Sequence, residues 1–377
     1  MTELPDPSGP RPADMPRHSP NCLHADGLHV PNHWVVVETL GRLSESAVIL
    51  DDMYPRRFTK LNRATIAIST SIARELHRLV ECCTASRRTE STDTRLPCAA
   101  MIRLIAEPIF GPYGQVRAVA LWAGTVGTVP PTAPTVGVVE WDSTLTVAVS
   151  TGAAALLLVD QAPKPRMLPE MLSSLGWIND RSEFMALFRL TDPIDAWSGT
   201  AARRFDDGTR HQFHIVARAS GTGANRTVRA IVCDTPEAQL PSKPDLYCSA
   251  IRHVPILRGH ALALVDLNSI AVHDWVANDG DPIAGWCHHQ PYVHPADKEL
   301  LFTTCRDMLS GITLTAHIEA RLRFDPADDW IRLDSRWTRV TSDDQPQALV
   351  DVTTIPPNPP SITDECERCH QLPRNAA

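Results

Sequence analysis

Three stretches of this chain alternate apolar and polar residues in the same order. Each is an apolar strand, a polar turn and a second apolar strand. In the first, MIRLIAEPIF leads through GPYGQ into VRAVALWAG. In the second, RHQFHIVARA leads through SGTGANR into TVRAIVCD, and in the third WIRLDSRWTRV leads through TSDDQPQ into ALVDVTTI. Alternation such as Phe213, Ile215, Ala217 turns one side of a strand toward a core. Gly, Asn and Asp in the connections supply the turn chemistry. The second strands centre near residues 119, 230 and 350, a period of about 115 residues.

The blocks also open alike, on 34-WVVVETL-40, 136-VGVVEWDSTLTVAVS-150 and 261-ALALVDLNSIAVHDW-275. The last two read strand, Asp turn, strand, with Asp142 and Asp266 where the chain reverses. Between opening and closing strands the period changes to helical. Ile66, Ile72, Leu76, Leu79 and Cys83 form a stripe that predicts a helix over 61–85. Short helices are predicted over 168–175 and 184–190. In the third block a helix follows His294, with Pro295 at its first position, Asp297 in its positive first turn and Gly311 at its stop. The imidazole of His294 is placed to help cap it. Strand pair, helices, then antiparallel strands make each block an α+β module, one antiparallel sheet with helices packed on one face.

Composition and punctuation set the boundaries. A single hydrophobic core rarely grows beyond about 250–300 residues, so 377 residues imply several domains. Pro-rich residues 1–31 and the PPNPP-led residues 355–377 bury too little apolar surface to fold and are expected to be disordered. The breaks 127-GTVPPTAPT-135 and 235-TPEAQLPSKPD-245 divide the remainder into modules at 32–128, 134–236 and 245–354. The net charge of −8 gives no basis for binding nucleic acid or an anionic membrane. The longest apolar run, Leu145 to Val159, is shorter than the ~20 residues that span a bilayer, and the N-terminus has no apolar signal core. A cytoplasmic protein whose ten cysteines are mostly reduced is therefore expected.

The third block, with 292-YVHPADKELLFTTCRDML-309 followed by RLRFDPADDWIRLDSRWTRV, resembles a PAS sensor module: a His-Pro-x-Asp entry to the long helix, then paired strands. The second block resembles PAS through VVEWDSTLTVAVSTGAAALL but lacks the His-Pro-x-Asp step. The first resembles GAF through EPIFGPYGQVRAVALWAG. Taken in order, residues 32–354 resemble the three-domain GAF/PAS sensor-only proteins of mycobacteria and related actinobacteria. The resemblance implies a non-enzymatic sensor or scaffold that integrates signals and passes them to a separate partner protein. No kinase-type or other effector motif accompanies the modules.

Such modules can hold a small ligand between the helices and the inner face of the sheet. The third block offers Leu264, Trp286, Leu301 and Trp337 on that face, with His288, His289 and His294 nearby. The second offers Trp141, Phe184, Phe188 and Phe213. Any of these can equally be filling a core. No cofactor is required by the residues; the alternative is a haem- or other cofactor-binding PAS pocket with His288, His289 or His294 as ligand. No catalytic residues are expected, and a homodimer is compatible with the module type. Cys366-Glu367-Arg368-Cys369-His370 has the C-x-x-C-H spacing of c-type haem attachment. That chemistry needs export and an apolar pocket, which this polar tail lacks. A zinc site would need further ligands beside Cys366, Cys369 and His370, such as Cys287, His288 or His289, and neighbouring residues rarely ligate together. No metal is expected there.

Overall fold

A computed structural model describes residues 31–356 except 97–99, 143, 158–165, 176, 190–193, 205–209, 236–250, 252–253, 279 and 341–345. Nearly all of both predicted tails and of the 235–245 break lies outside the described residues. Three antiparallel sheets follow one another along the chain.

In the first, β1 (His33–Glu38), β2 (Ala47–Asp51), β3 (Tyr54–Thr59), β4 (Glu90–Arg95), β5 (Met101–Phe110) and β6 (Val116–Thr125) lie in the order β3-β2-β1-β6-β5-β4. One helix, α1 (Thr70–Ser86), covers one face and buries Ile72, Leu76, Leu79 and Cys83. It starts nine residues later than the apolar stripe predicts. Residues Leu61–Arg63 form a 3-10 turn, and the Ser69 hydroxyl accepts the Ile72 N–H at 3.2 Å, which makes Ser69 the cap. Ile66 is buried without being helical.

The second sheet joins β7 (Val136–Trp141), β8 (Thr146–Val149), β9 (Arg166–Met167), β10 (Trp177–Ile178), β11 (Ala196–Arg204), β12 (Arg210–Ser220) and β13 (Thr227–Thr235) in the order β10-β11-β12-β13-β7-β8-β9. Its helices are α2 (Thr151–Leu157), α3 (Leu168–Ser174) and α4 (Arg181–Met185), the last running into a 3-10 turn at Ala186–Phe188. The third sheet joins β14 (His260–Asp266), β15 (Ala271–Ala277), β16 (Tyr292–Val293), β17 (Thr315–Arg323), β18 (Ile331–Val340) and β19 (Gln347–Ile355) in the order β15-β14-β19-β18-β17-β16. A 3-10 segment, Pro282–Cys287, and α5 (Pro295–Leu309) belong to it. Counting the five main strands of each unit, all three sheets run second, first, fifth, fourth, third. The opening strand of each block therefore pairs with its closing strand, as Trp34 with Trp122 and Val139 with Ala230.

Local chemistry explains the turns. Asp142 Oδ1 accepts the Thr144 N–H at 2.8 Å, and Asp266 Oδ2 accepts the Ser269 N–H at 2.8 Å. The SGTGANR stretch is the β12–β13 hairpin, with Gly221 at φ 81°. Two sheets share a Trp-x-Gly pairing. Indole carbons of Trp122 and Trp197 lie 2.2 and 2.3 Å from where a Cβ would stand on Gly124 and Gly199, so only glycine leaves room for the ring.

The first two sheets pack back to back through their helix-free faces. Val36, Ile49, Leu50 and Ala118 meet Val138, Val216, Ile231 and Cys233. Buried charges border this seam and are paired across it. Glu38 accepts Arg218 Nη2 at 2.7 Å, and Glu140 accepts Arg117 Nε at 2.8 Å. His214 of β12 donates from Nε2 to the carbonyl of Arg56 at 3.1 Å. Burial lowers the His214 pKa from 6.5 to about 4. An unfolded chain takes up this proton near 6.5, whereas the folded chain resists until about 4. Stability should therefore fall as pH drops through that window, by about 3 kcal/mol in total, and level off below it. Denaturant unfolding between pH 7 and 4 measures this. His214→Gln should flatten that part of the profile; an unchanged profile would assign the loss to other groups.

Candidate functional site

The inner face of the third sheet, α5 and the 3-10 segment Pro282–Cys287 enclose a cavity of about 60 Å³. Trp275 of β15, Trp286 of the 3-10 segment, Leu301 of α5 and Trp337 of β18 form its walls. The Trp275 and Trp286 rings lie 4.6 Å apart. Two polar residues border the space, and the protein already engages both. Ser335 Oγ donates to the Ile318 carbonyl at 2.9 Å and accepts Trp337 Nε1 at 3.0 Å. Arg321 grips Asp297 with Nε at 3.0 Å and Nη2 at 2.8 Å, and its own N–H reaches the same carboxylate at 2.8 Å. The Arg321 hydrogen bonds hold the Asp297 carboxyl below its ordinary pKa. The cavity is thus an apolar, aromatic space with its polar rim satisfied, the kind that stays dry and takes small apolar guests.

A second, apolar cavity of about 20 Å³ lies in the second module, lined by Trp141, Met171, Leu172 and Phe184 among others. Trp141, Phe184 and Phe188 meet edge to face at 5.6–5.9 Å, which fills most of the space under that sheet.

A polar seam runs between the second and third modules. His288, directly after the 3-10 segment that carries Trp286, places Nδ1 3.0 Å from Glu170 Oε2 on α3. Glu170 also pairs with Arg166 Nη1 at 2.5 Å, and the next two residues of α3, Met171 and Leu172, line the smaller cavity. Deeper in the seam, Arg181 Nη2 lies 2.8 Å from the buried carboxylate of Asp274 and donates to the His273 carbonyl at 2.7 Å. Asp266, also buried, has its pKa raised by that burial.

The sequence candidates divide accordingly. Trp286, Leu301 and Trp337 line the larger cavity and Trp141 the smaller. Phe213 is fully buried in the second core but lines neither cavity. Leu264 is a correction. It lies on the opposite face, packed with Ile251, because Ala263 and Val265 on either side of it point inward. His288 faces Glu170, and His294 caps α5 by accepting the Ala296 N–H at 3.2 Å, so neither histidine is a wall residue of the cavity. His289 is exposed. Cys366, Cys369 and His370 lie outside the described residues, among which no group of three or more His, Cys, Asp or Glu side chains could hold a metal. Trp275 and the Glu170 and Arg181–Asp274 partners were not legible as site residues. The only sequence signal of Glu170, Arg181 and Asp274 is charge inside otherwise apolar segments.

The architecture defines a serial α+β protein of three antiparallel-sheet units. Residues 33–132 match the family described as Rv3651-like, N-terminal. No curated protein matches the chain. Its fold is similar to the crystal structure of an uncharacterised protein from Mycobacterium tuberculosis, with 18% identity and a TM-score of 0.66 over 87% of this chain and 97% of that one. The family match and this neighbour are consistent with an actinobacterial family. An RNA-binding light-oxygen-voltage receptor (7% identity, TM-score 0.22, 63% of this chain and 98% of that one) and the E. coli DhaR(N)–DhaL complex (11%, 0.19, 54% and 79%) superpose too poorly to carry weight. No helix among the described residues is long and apolar enough to cross a membrane.

Proposed function

We propose that this chain is a non-enzymatic, three-module sensor and scaffold, GAF-like then PAS-like then PAS-like. It reads a small apolar ligand in its third module and passes the change to a separate partner protein. The supporting observation is the continuity of the 3-10 segment. One residue, Trp286, walls the larger cavity, and His288, two residues on, holds Glu170 of α3. A guest that displaces Trp286 pulls on α3, and α3 lines the next cavity. This is a two-state element that one ligand can bias. The strand order common to the three sheets supports a shared sheet plan, as PAS- and GAF-type modules have.

Size argues against the haem or flavin alternative. Sites for ligands of that class run to about 300–1,000 Å³, against about 60 Å³ here. Of the histidines that would ligate a haem, His288 and His294 are engaged elsewhere and His289 is exposed.

Xenon, an apolar probe of suitable size, tests the reading. Xenon NMR should report a saturable site in the wild-type protein, and Ala320→Val, which fills the cavity from β17, should abolish it at a stability change under about 1.5 kcal/mol. Hydrogen exchange in 168–174 should slow under xenon in the wild type and not in His288→Ala, which still binds the gas. Absence of a saturable xenon site would sink the sensing role assigned to this cavity.

A further inference from the structure

We infer that β17 is a self-pairing edge through which two copies of this chain associate. Among the described residues, its pairing with the short strand β16 covers only Leu322 and Arg323. Arg321 turns its backbone toward that same side, since its carbonyl accepts the His294 N–H at 2.9 Å and its N–H goes to Asp297. Strand alternation then directs the N–H and C=O groups of Thr315, His317 and Glu319 outward as well. All three residues are exposed, and no strand among the described residues pairs with them on that side. An open edge of this kind is a template for another strand.

The strand's own sequence favours a second copy as the occupant. Under a two-fold axis through Ile318, antiparallel pairing sets His317 opposite Glu319 of the second copy and Glu319 opposite its His317. Both cross-strand pairs then set an imidazole against a carboxylate, and both fall at hydrogen-bonding positions, so the edge gains four backbone bonds. Within its own copy the His317 imidazole already lies against the carboxylate of Asp334 on β18. Exposed Ile312 and Leu314, immediately before the strand, add an apolar rim to the same edge.

Sedimentation equilibrium of the full chain should show a concentration-dependent monomer–dimer equilibrium. His317→Arg places a permanent cation beside Asp334 and opposite Glu319, so it should preserve or tighten the dimer. The double variant His317→Arg/Glu319→Arg sets like charges opposite each other twice and should weaken it about tenfold or more. Circular dichroism of both variants verifies that the sheet is intact. A full chain that is monomeric at every concentration overturns the proposal and leaves the edge to a strand of some other protein. A dimer of unaltered strength in a folded double variant overturns it too, because another surface would then be pairing the copies.

Discussion

Replacing Arg181 by alanine should cost about 3–5 kcal/mol at the seam between the second and third modules. The reason is burial: Asp274 is 1% exposed, and the Arg181 guanidinium lies 2.8 Å from its carboxylate. Removing one partner of a buried ion pair leaves the other charge desolvated without its counter-charge, and that penalty exceeds the net worth of the intact pair. Arg181→Met/Asp274→Leu removes both charges and should recover most of the loss. Global unfolding of a multi-module chain need not be two-state, so native-state hydrogen exchange across β15 and α3 is the measurement to use. If the single variant costs less than about 1 kcal/mol there, the pair does not hold the seam and the proposed route from cavity to α3 loses its rigid support.

The second large effect is expected for Gly137→Ala. A Cβ at this position would stand 2.1 Å from the Ala153 nitrogen and 2.2 Å from its Cα. Both are main-chain atoms of α2, so no side chain can swing aside. Opposite, a Cβ on Gly152 would lie 2.4 Å from the Val136 carbonyl, so strand and helix touch backbone to backbone. Ser150 binds the two together, accepting the N–H of Val138 at 2.8 Å and of Ala153 at 3.3 Å. Overpacking commonly costs about 1–3 kcal/mol, and a clash with fixed backbone should lie at or above the top of that range. Thermal unfolding followed by tryptophan fluorescence measures it. Adding Ala153→Gly removes the Cβ contact at 2.5 Å but not the two main-chain contacts, so rescue should be partial. A Gly137→Ala protein as stable as the wild type would mean that β7 and α2 separate at little cost.

Much of the fold could be read along the chain because the relevant forces act over a few residues. Phe213, Ile215 and Ala217 alternate, and all three are buried on the helix-covered side of the second sheet. His294, Pro295 and Asp297 start α5 where a cap, a fixed φ and a first-turn carboxylate are needed. Asp142 and Asp266 make the turns they suggested. The start of α1 was misread because Ile66 fits the helical stripe yet reaches the core from a non-helical segment. Leu264 was misread because an apolar side chain does not reveal which face of a sheet it occupies when both faces are covered.

By itself the sequence determined the strands, the turns, the main helix of the third unit and the threefold recurrence of one α+β pattern, since periodicity, capping and turn chemistry are local. It also supplied the tryptophans of the larger cavity, though only as large residues in apolar runs. The tertiary structure alone decided the rest: that the first two sheets stand back to back, that Arg181 meets Asp274 and His288 meets Glu170, and that β17 keeps an edge that no strand among the described residues covers along its first half. Each of these depends on residues far apart in the chain, brought together by the burial of whole faces. Burial of a face depends on the summed apolar area and carries no address in any one segment.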